Sequence, residues 1–214
     1  MIVEEGWAGR VMTWLRAVSA LIIVNLLFVA GALIGLVVLG LMPAAAASAV
    51  CLTRLRDGEG AGLVRVFITE YRARFVRANL LGLPFAAVAL LLAADTAVLP
   101  LLPGPASAAL AVFTWVAGAY ALIALVGALA IDVRYRDGIG ATLRFAATLP
   151  LASPVMALAL AATLGVIGAS LLALPMLLPL IGVSAPLFVA GWFVDHRLAQ
   201  LDPEHPRAAA LAAA

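Results

Sequence analysis

The chain has 214 residues, 66% of them hydrophobic and 11% charged, where an ordinary soluble domain carries about 25% charged residues. Its mean hydropathy is +1.18, and 13 basic against 11 acidic residues give a net charge of +2, every basic residue being arginine. This composition excludes a soluble globular enzyme, a disordered tail and a disulfide scaffold, and indicates an integral membrane protein made mostly of spanning segments.

Residues 17–53 form a run of 37 without charge. One crossing needs about 20 residues, so the run is long for one span and slightly short for two. Arginines decide between them. Arg10 and Arg16 precede the run, and Arg54, Arg56, Arg65, Arg72, Arg74 and Arg77 follow it. A single crossing would leave one set on the non-cytoplasmic side, against the positive-inside rule. The run is therefore expected to be a short helical hairpin, with its first helix at about 12–39, its turn at 40–43 and its second helix opening at Pro43, since proline suits a first turn. The apolar stretch is too long for the core of a cleaved signal peptide. Cys51 reads as small core filler.

Leu63–Asn79 places Val64, Phe67, Ile68, Tyr71 and Phe75 on one helical stripe, with Arg65, Glu70, Arg72, Arg74 and Arg77 off it. It is expected to be a separate cytoplasmic amphipathic helix, lying at the membrane surface or packed under the bundle. Residues 80–102 and 107–131 each suit one span, separated by a Pro/Gly loop at 101–105. Residues 146–194 have no charge and suffice for two spans, broken at Pro175, Pro179 and Gly182.

The expected fold is thus all-α: a polytopic transmembrane bundle of about six membrane helices plus the amphipathic helix. It forms a single membrane domain over 1–207, with an alanine-rich frayed tail at 208–214. Six spans place both termini and all 13 arginines on one side, taken as the cytoplasmic side of a bacterial inner membrane.

No metalloprotease, nucleophile-elbow, phosphate-loop or Cys-x-x-Cys pattern is present. His196 and His205 do not sit at metal-ligand spacing with other ligands. No cofactor, metal, catalytic set or nucleic-acid partner is expected; the lipid bilayer is. Asn25 is the most unusual in-span residue, suited to interhelical hydrogen bonding or, more sharply, to contact with a solute. Gly31 and Gly35 offer a close-packing face. The stretch Arg54-Leu-Arg56-Asp57-Gly58 resembles Arg134-Tyr-Arg136-Asp137-Gly138, and seven of ten positions agree between 54–63 and 134–143. Each Asp-Gly would turn the chain tightly as it leaves a helix. A chance likeness in an Arg/Gly/Ala-rich sequence is the alternative to duplication.

Asn25-Leu-Leu-Phe28, Gly40-Leu-Met-Pro43-Ala44, Arg54, Gly58, Phe67, Tyr71-Arg72, Phe75 and Asn79-Leu-Leu-Gly82 together resemble the YesL-like family of bacterial membrane proteins. Ala45 departs from the threonine common there. The resemblance implies a polytopic inner-membrane protein of uncharacterised biochemistry, often associated with carbohydrate uptake, and supplies no catalytic residues. The expected function is a non-enzymatic accessory component that contacts a membrane partner such as a sugar importer. The rival is a small transporter or permease subunit with Asn25 and the broken helices lining a path. Asp57, Arg72 and Asp137 are the residues expected to touch a partner.

Overall fold

The computed structural model describes residues 7–135 and 137–201. Arg136, His205 and the tail at 208–214 lie outside them. Among the described residues there are eight α-helices, two short 3-10 turns and no strand. Five helices are long and apolar enough to cross a membrane, or six if a bent pair near the end is one span. Large apolar side chains such as Leu90, Trp115, Val155 and Leu172 are mostly exposed, as lipid-facing residues of a helical membrane protein must be.

The chain divides into two compact units. The first comprises Met1–Phe75 and Ile167–Val189, and the second Val76–Val166 and Ala190–Ala214.

In the first unit, α1 (Trp7–Ile34) and α2 (Val38–Arg56) form a tight hairpin, each long enough for a full span. The turn lies at 35–37, five residues before its expected place, and Pro43 sits inside α2 instead of opening it. The glycines explain the shift. A Cβ on Gly35 would lie 2.2 Å from the Gly40 Cα, and one on Gly40 would lie 2.5 Å from the Ala32 carbonyl oxygen. Gly40 therefore permits backbone contact between the helices and does not turn the chain. The turn itself falls on Leu36 (φ 56°) and Val37 (φ 63°). Leu36 N–H donates to the Leu33 carbonyl at 3.1 Å and Val37 N–H to that of Ala32 at 2.7 Å, a Schellman arrangement.

The segment 63–79 is not a separate helix. It is the start of α3 (Leu63–Val98), 36 residues without a break and about 54 Å long, well beyond the roughly 30 Å apolar core of a bilayer. No proline or glycine interrupts it before Gly82. Its buried side is rotated from the expected stripe: Leu63, Phe67, Arg74 and Ala78 are buried, while Val64 and Ile68 are about half exposed. Residues 63–75 belong to the first unit and 76–98 to the second.

In the second unit, α4 (Pro105–Arg134) follows the expected loop, with Gly104 at φ 54°. The apolar run from 146 begins inside α5 (Ile139–Ala152), a 14-residue helix ahead of α6 (Pro154–Ala173). The unexpected break at Ser153 (φ −139°, ψ 67°) follows from Pro154, whose ring disfavours helical backbone at the preceding residue. Leu81, Ala128, Ile131, Ala146, Leu149 and Val194 form the core here.

The break expected at Pro175–Gly182 is present. A 3-10 turn (Pro175–Leu177) and α7 (Leu178–Ile181) precede α8 (Ser184–Leu201), and the two arms meet at 60°.

Candidate functional site

A helix break inside an apolar unit leaves carbonyls on one side and N–H groups on the other without intrahelical partners. At the α7–α8 break one side chain takes both sets. Asn25, fully buried in α1, donates from Nδ2 to the carbonyls of Leu178 at 3.2 Å and Pro179 at 2.8 Å. Its Oδ1 accepts from the N–H of Val183 at 2.8 Å and of Ser184 at 3.1 Å. Two carbonyls and two N–H groups fix which way the carboxamide points, and four bonds exhaust its capacity. Asn25 is therefore a lock on the bent helix. Ser184 Oγ, buried beside it, has no hydrogen-bond partner among the described residues.

The aromatic start of α3 closes on the same hairpin. Tyr71 Oη donates to the Gly31 carbonyl at 2.9 Å. The rings of Phe67 and Tyr71 stack at 6.0 Å, and Phe75 meets Tyr71 edge-on at 5.7 Å. A Cβ on Gly31 would come within 3.1 Å of the Phe67 ring. Here the segment packs on the protein, and Arg74 is buried with it, paired to Glu70 at 2.7 Å. At the end of α2, Arg56 donates to the Phe188 carbonyl at 3.3 Å and to Thr53 Oγ1 at 2.8 Å, with its guanidinium 5.6 Å from the Phe188 ring centre. Arg54, Asp57 and Arg72 are exposed, and Asn79 is half-buried on α3.

The second unit buries charge. Arg77 Nε donates to Asp132 Oδ1 at 2.6 Å, and its Nη2 to the Asp137 carbonyl at 2.6 Å. Arg134 grips Asp195 with two parallel bonds of 3.1 Å. Both carboxylates are almost wholly buried, so each depends on its arginine. Sequence reasoning passes over this pair of aspartates. The signal is nonetheless present: Asp132 and Asp195 are each the first charge beyond a long uncharged run.

The two similar loops differ in structure. At 54–63, Asp57 caps α2 and Gly58 takes φ 85°, with Glu59 N–H returning to the Arg54 carbonyl at 2.8 Å. At 134–143 the chain is extended at Tyr135, and Gly138 (φ −61°) caps the start of α5. The expected tight turn therefore forms at the first Asp-Gly and not at the second. Ile131, Tyr135, Asp137, Thr142 and Phe145 line a groove of about 500 Å³ beside the second loop. Among the described residues no group of three or more His, Cys, Asp or Glu could hold a metal.

With this geometry in place, comparison with known proteins gives a family match to part of the chain. Residues 21–96 match the family described as "Protein of unknown function, DUF624". That stretch holds Asn25, the glycine hairpin, the first Arg-Gly loop and the aromatic start of α3. Over 97 residues the chain is 30% identical to "Uncharacterized protein YteU" of Bacillus subtilis (strain 168), covering 45% of this chain and 44% of that one. The match thus spans less than half the length of this relative. No solved structure matches. The similarity is to uncharacterised proteins of this type, and the Arg77–Asp132 and Arg134–Asp195 pairs extend past the matched family region.

Proposed function

We propose that the chain is a non-enzymatic accessory component of the bacterial cytoplasmic membrane, with both termini inside, that docks a partner membrane protein through its charged loops. One observation carries the reading: Asn25, the most unusual side chain of the uncharged runs, has all four hydrogen-bonding positions occupied by backbone and offers nothing to a passing solute. Exposed polar side chains lie at the end of α2, just after it and on α3: Arg54, Asp57 and Arg72 are exposed, and Asp137 lines the groove at the α4–α5 loop. The confinement of arginines to the segments between apolar runs supports the orientation. The YesL-like resemblance makes a carbohydrate importer the partner to look for first.

The experiment is affinity purification of the tagged chain from native membranes, with Asp57→Arg and Asp137→Arg variants alongside. A co-purifying membrane transport protein lost in either variant is the expected result. A second reading, a small solute transporter, draws on the 60° break between α7 and α8, a feature of substrate sites in several transporter folds. Liposomes containing only this protein should move no sugar. Saturable sugar uptake by them, lost in Asn25→Leu, would replace the accessory reading with the transporter.

A further inference from the structure

In the second unit, the C-terminal part of α8 and the start of α6 enclose a groove of about 530 Å³. Its polar lining is Ser153, His196, Arg197 and Gln200, and among the described residues no acidic side chain lines it. Arg197 Nε donates to Ser153 Oγ at 2.6 Å and its Nη1 to Gln200 Oε1 at 2.9 Å. A guanidinium carries five N–H donors, and among the described residues no carboxylate pairs with this one. The cation is thus held in position by two neutral oxygens, and among the described residues its remaining donors have no other partner.

The rest of the lining is apolar. Pro154, Val155, Met156 and Ala159 of α6 form one wall, and Val155 is 80% exposed on a helix apolar enough to span a membrane. Trp192 also lines the groove. It is half exposed, stacked on His196 at 5.7 Å and met edge-on by Phe193 at 5.1 Å. Tryptophan in such a place favours the boundary between headgroup and hydrocarbon. A sugar would want a free aromatic face and dense hydrogen bonding, whereas here one face of the indole is covered and most of the lining is apolar.

We propose that this groove holds an anionic phospholipid, with its phosphodiester on the Arg197 guanidinium and an acyl chain along the Val155 face of α6. A phosphodiester fits the planar fork of an arginine, and a lipid matches a site cationic at one end and apolar at the other. The site is independent of any partner protein.

The test uses the full chain in an uncharged detergent, with phosphatidylglycerol and phosphatidylcholine of identical acyl chains as probes and retained lipid read by mass spectrometry. The wild type should prefer phosphatidylglycerol by roughly fivefold, the worth of one basic group near a membrane surface. Arg197→Gln should bind both lipids equally, and Ser153→Ala, which keeps the guanidinium, should retain the preference. Val155→Trp, which fills the apolar end, should lower retention of both lipids. It also decides the matter if Arg197→Gln does not fold, since unchanged retention there overturns the proposal. Equal retention of the two lipids by the wild type would overturn it too, as would a preserved preference in folded Arg197→Gln. Displacement of the lipid by equimolar glycerol 3-phosphate would show a site for a free anion, and displacement by maltose a sugar site; either result ends the lipid assignment.

Discussion

The unit built on α1, α2 and α7 secures its helix break with a neutral carboxamide, while the unit built on α4, α5 and the end of α8 secures its helix ends with buried ion pairs. Asn25 bonds only to backbone; Asp132 and Asp195 bond to arginine side chains. The difference follows from what each place lacks. A mid-helix break exposes equal numbers of donors and acceptors, and one carboxamide supplies both kinds without bringing in net charge. Helix ends next to the arginine-rich segments already carry cations, and a carboxylate there completes a pair so that neither charge is buried alone.

The sharpest way to break this comparison is Asn25→Leu. The Pro179 carbonyl and the Val183 and Ser184 N–H groups lose their partner at once, while the Leu178 carbonyl keeps the Gly182 N–H at 3.0 Å; at about 1 kcal/mol or more for each buried unsatisfied group the loss is at least about 3 kcal/mol. Thermal unfolding in detergent should fall steeply, with poor accumulation in membranes. Asn25→Asp keeps the acceptor but sets an oxygen against the Leu178 and Pro179 carbonyls and brings an unpaired charge into a buried site, so it should not restore the lost stability. A Leu variant as stable as the wild type would remove the lock.

In the second unit, Asp195→Ala should cost about 3–5 kcal/mol, because Arg134 then stays buried without its carboxylate. The double change Arg134→Met with Asp195→Leu should recover much of that loss, as replacing both members of a buried pair often does. Asn25 allows no such recovery, since its partners are backbone and cannot be mutated away. A double variant no more stable than Asp195→Ala would mean that the pair does more than neutralise itself.

Gly35→Ala probes the hairpin at an intermediate size. The added Cβ meets backbone at 2.2 Å, so the helices must separate, at about 1–3 kcal/mol. Gly118→Ala in α4 meets only the Leu92 side chain at 3.6 Å and should be neutral or slightly stabilising in the same unfolding assay, because alanine favours helix by about 1 kcal/mol over glycine.

The sequence makes the spans legible because uncharged runs bounded by arginine admit few readings. The Pro175–Gly182 break is legible for the same local reason. The hairpin turn is not, because Gly40 has two possible uses, turning a chain or letting backbones touch, and only the tertiary contact selects between them. The Ser153 break is implied by Pro154 but hidden inside a long apolar run. The polarity of Asn25 stands out in the sequence; its four partners more than 150 residues away do not. Helical period puts Arg74 on the wet side of its helix, yet it is buried because Glu70 one turn earlier goes with it. Composition and period report what a residue is and where it faces locally, and they are silent on which distant group it meets.

The smallest expected effect separates the two similar loops. Gly58 takes φ 85° and Gly138 φ −61°, and a Cβ added at either would meet nothing within 4 Å. Crowding is thus the same at both, and only the backbone differs. An L-residue in the left-handed region costs about 1–2 kcal/mol, so Gly58→Ala should destabilise by about that much. Gly138→Ala adopts its native angles without strain and restricts the unfolded chain, which stabilises by about 0.4–1 kcal/mol. The two substitutions should therefore move the unfolding midpoint in opposite directions. Equal losses at both would mean that the loops share one backbone conformation, and the case for reading 54–63 and 134–143 as copies of a single turn would gain what the present geometry denies it.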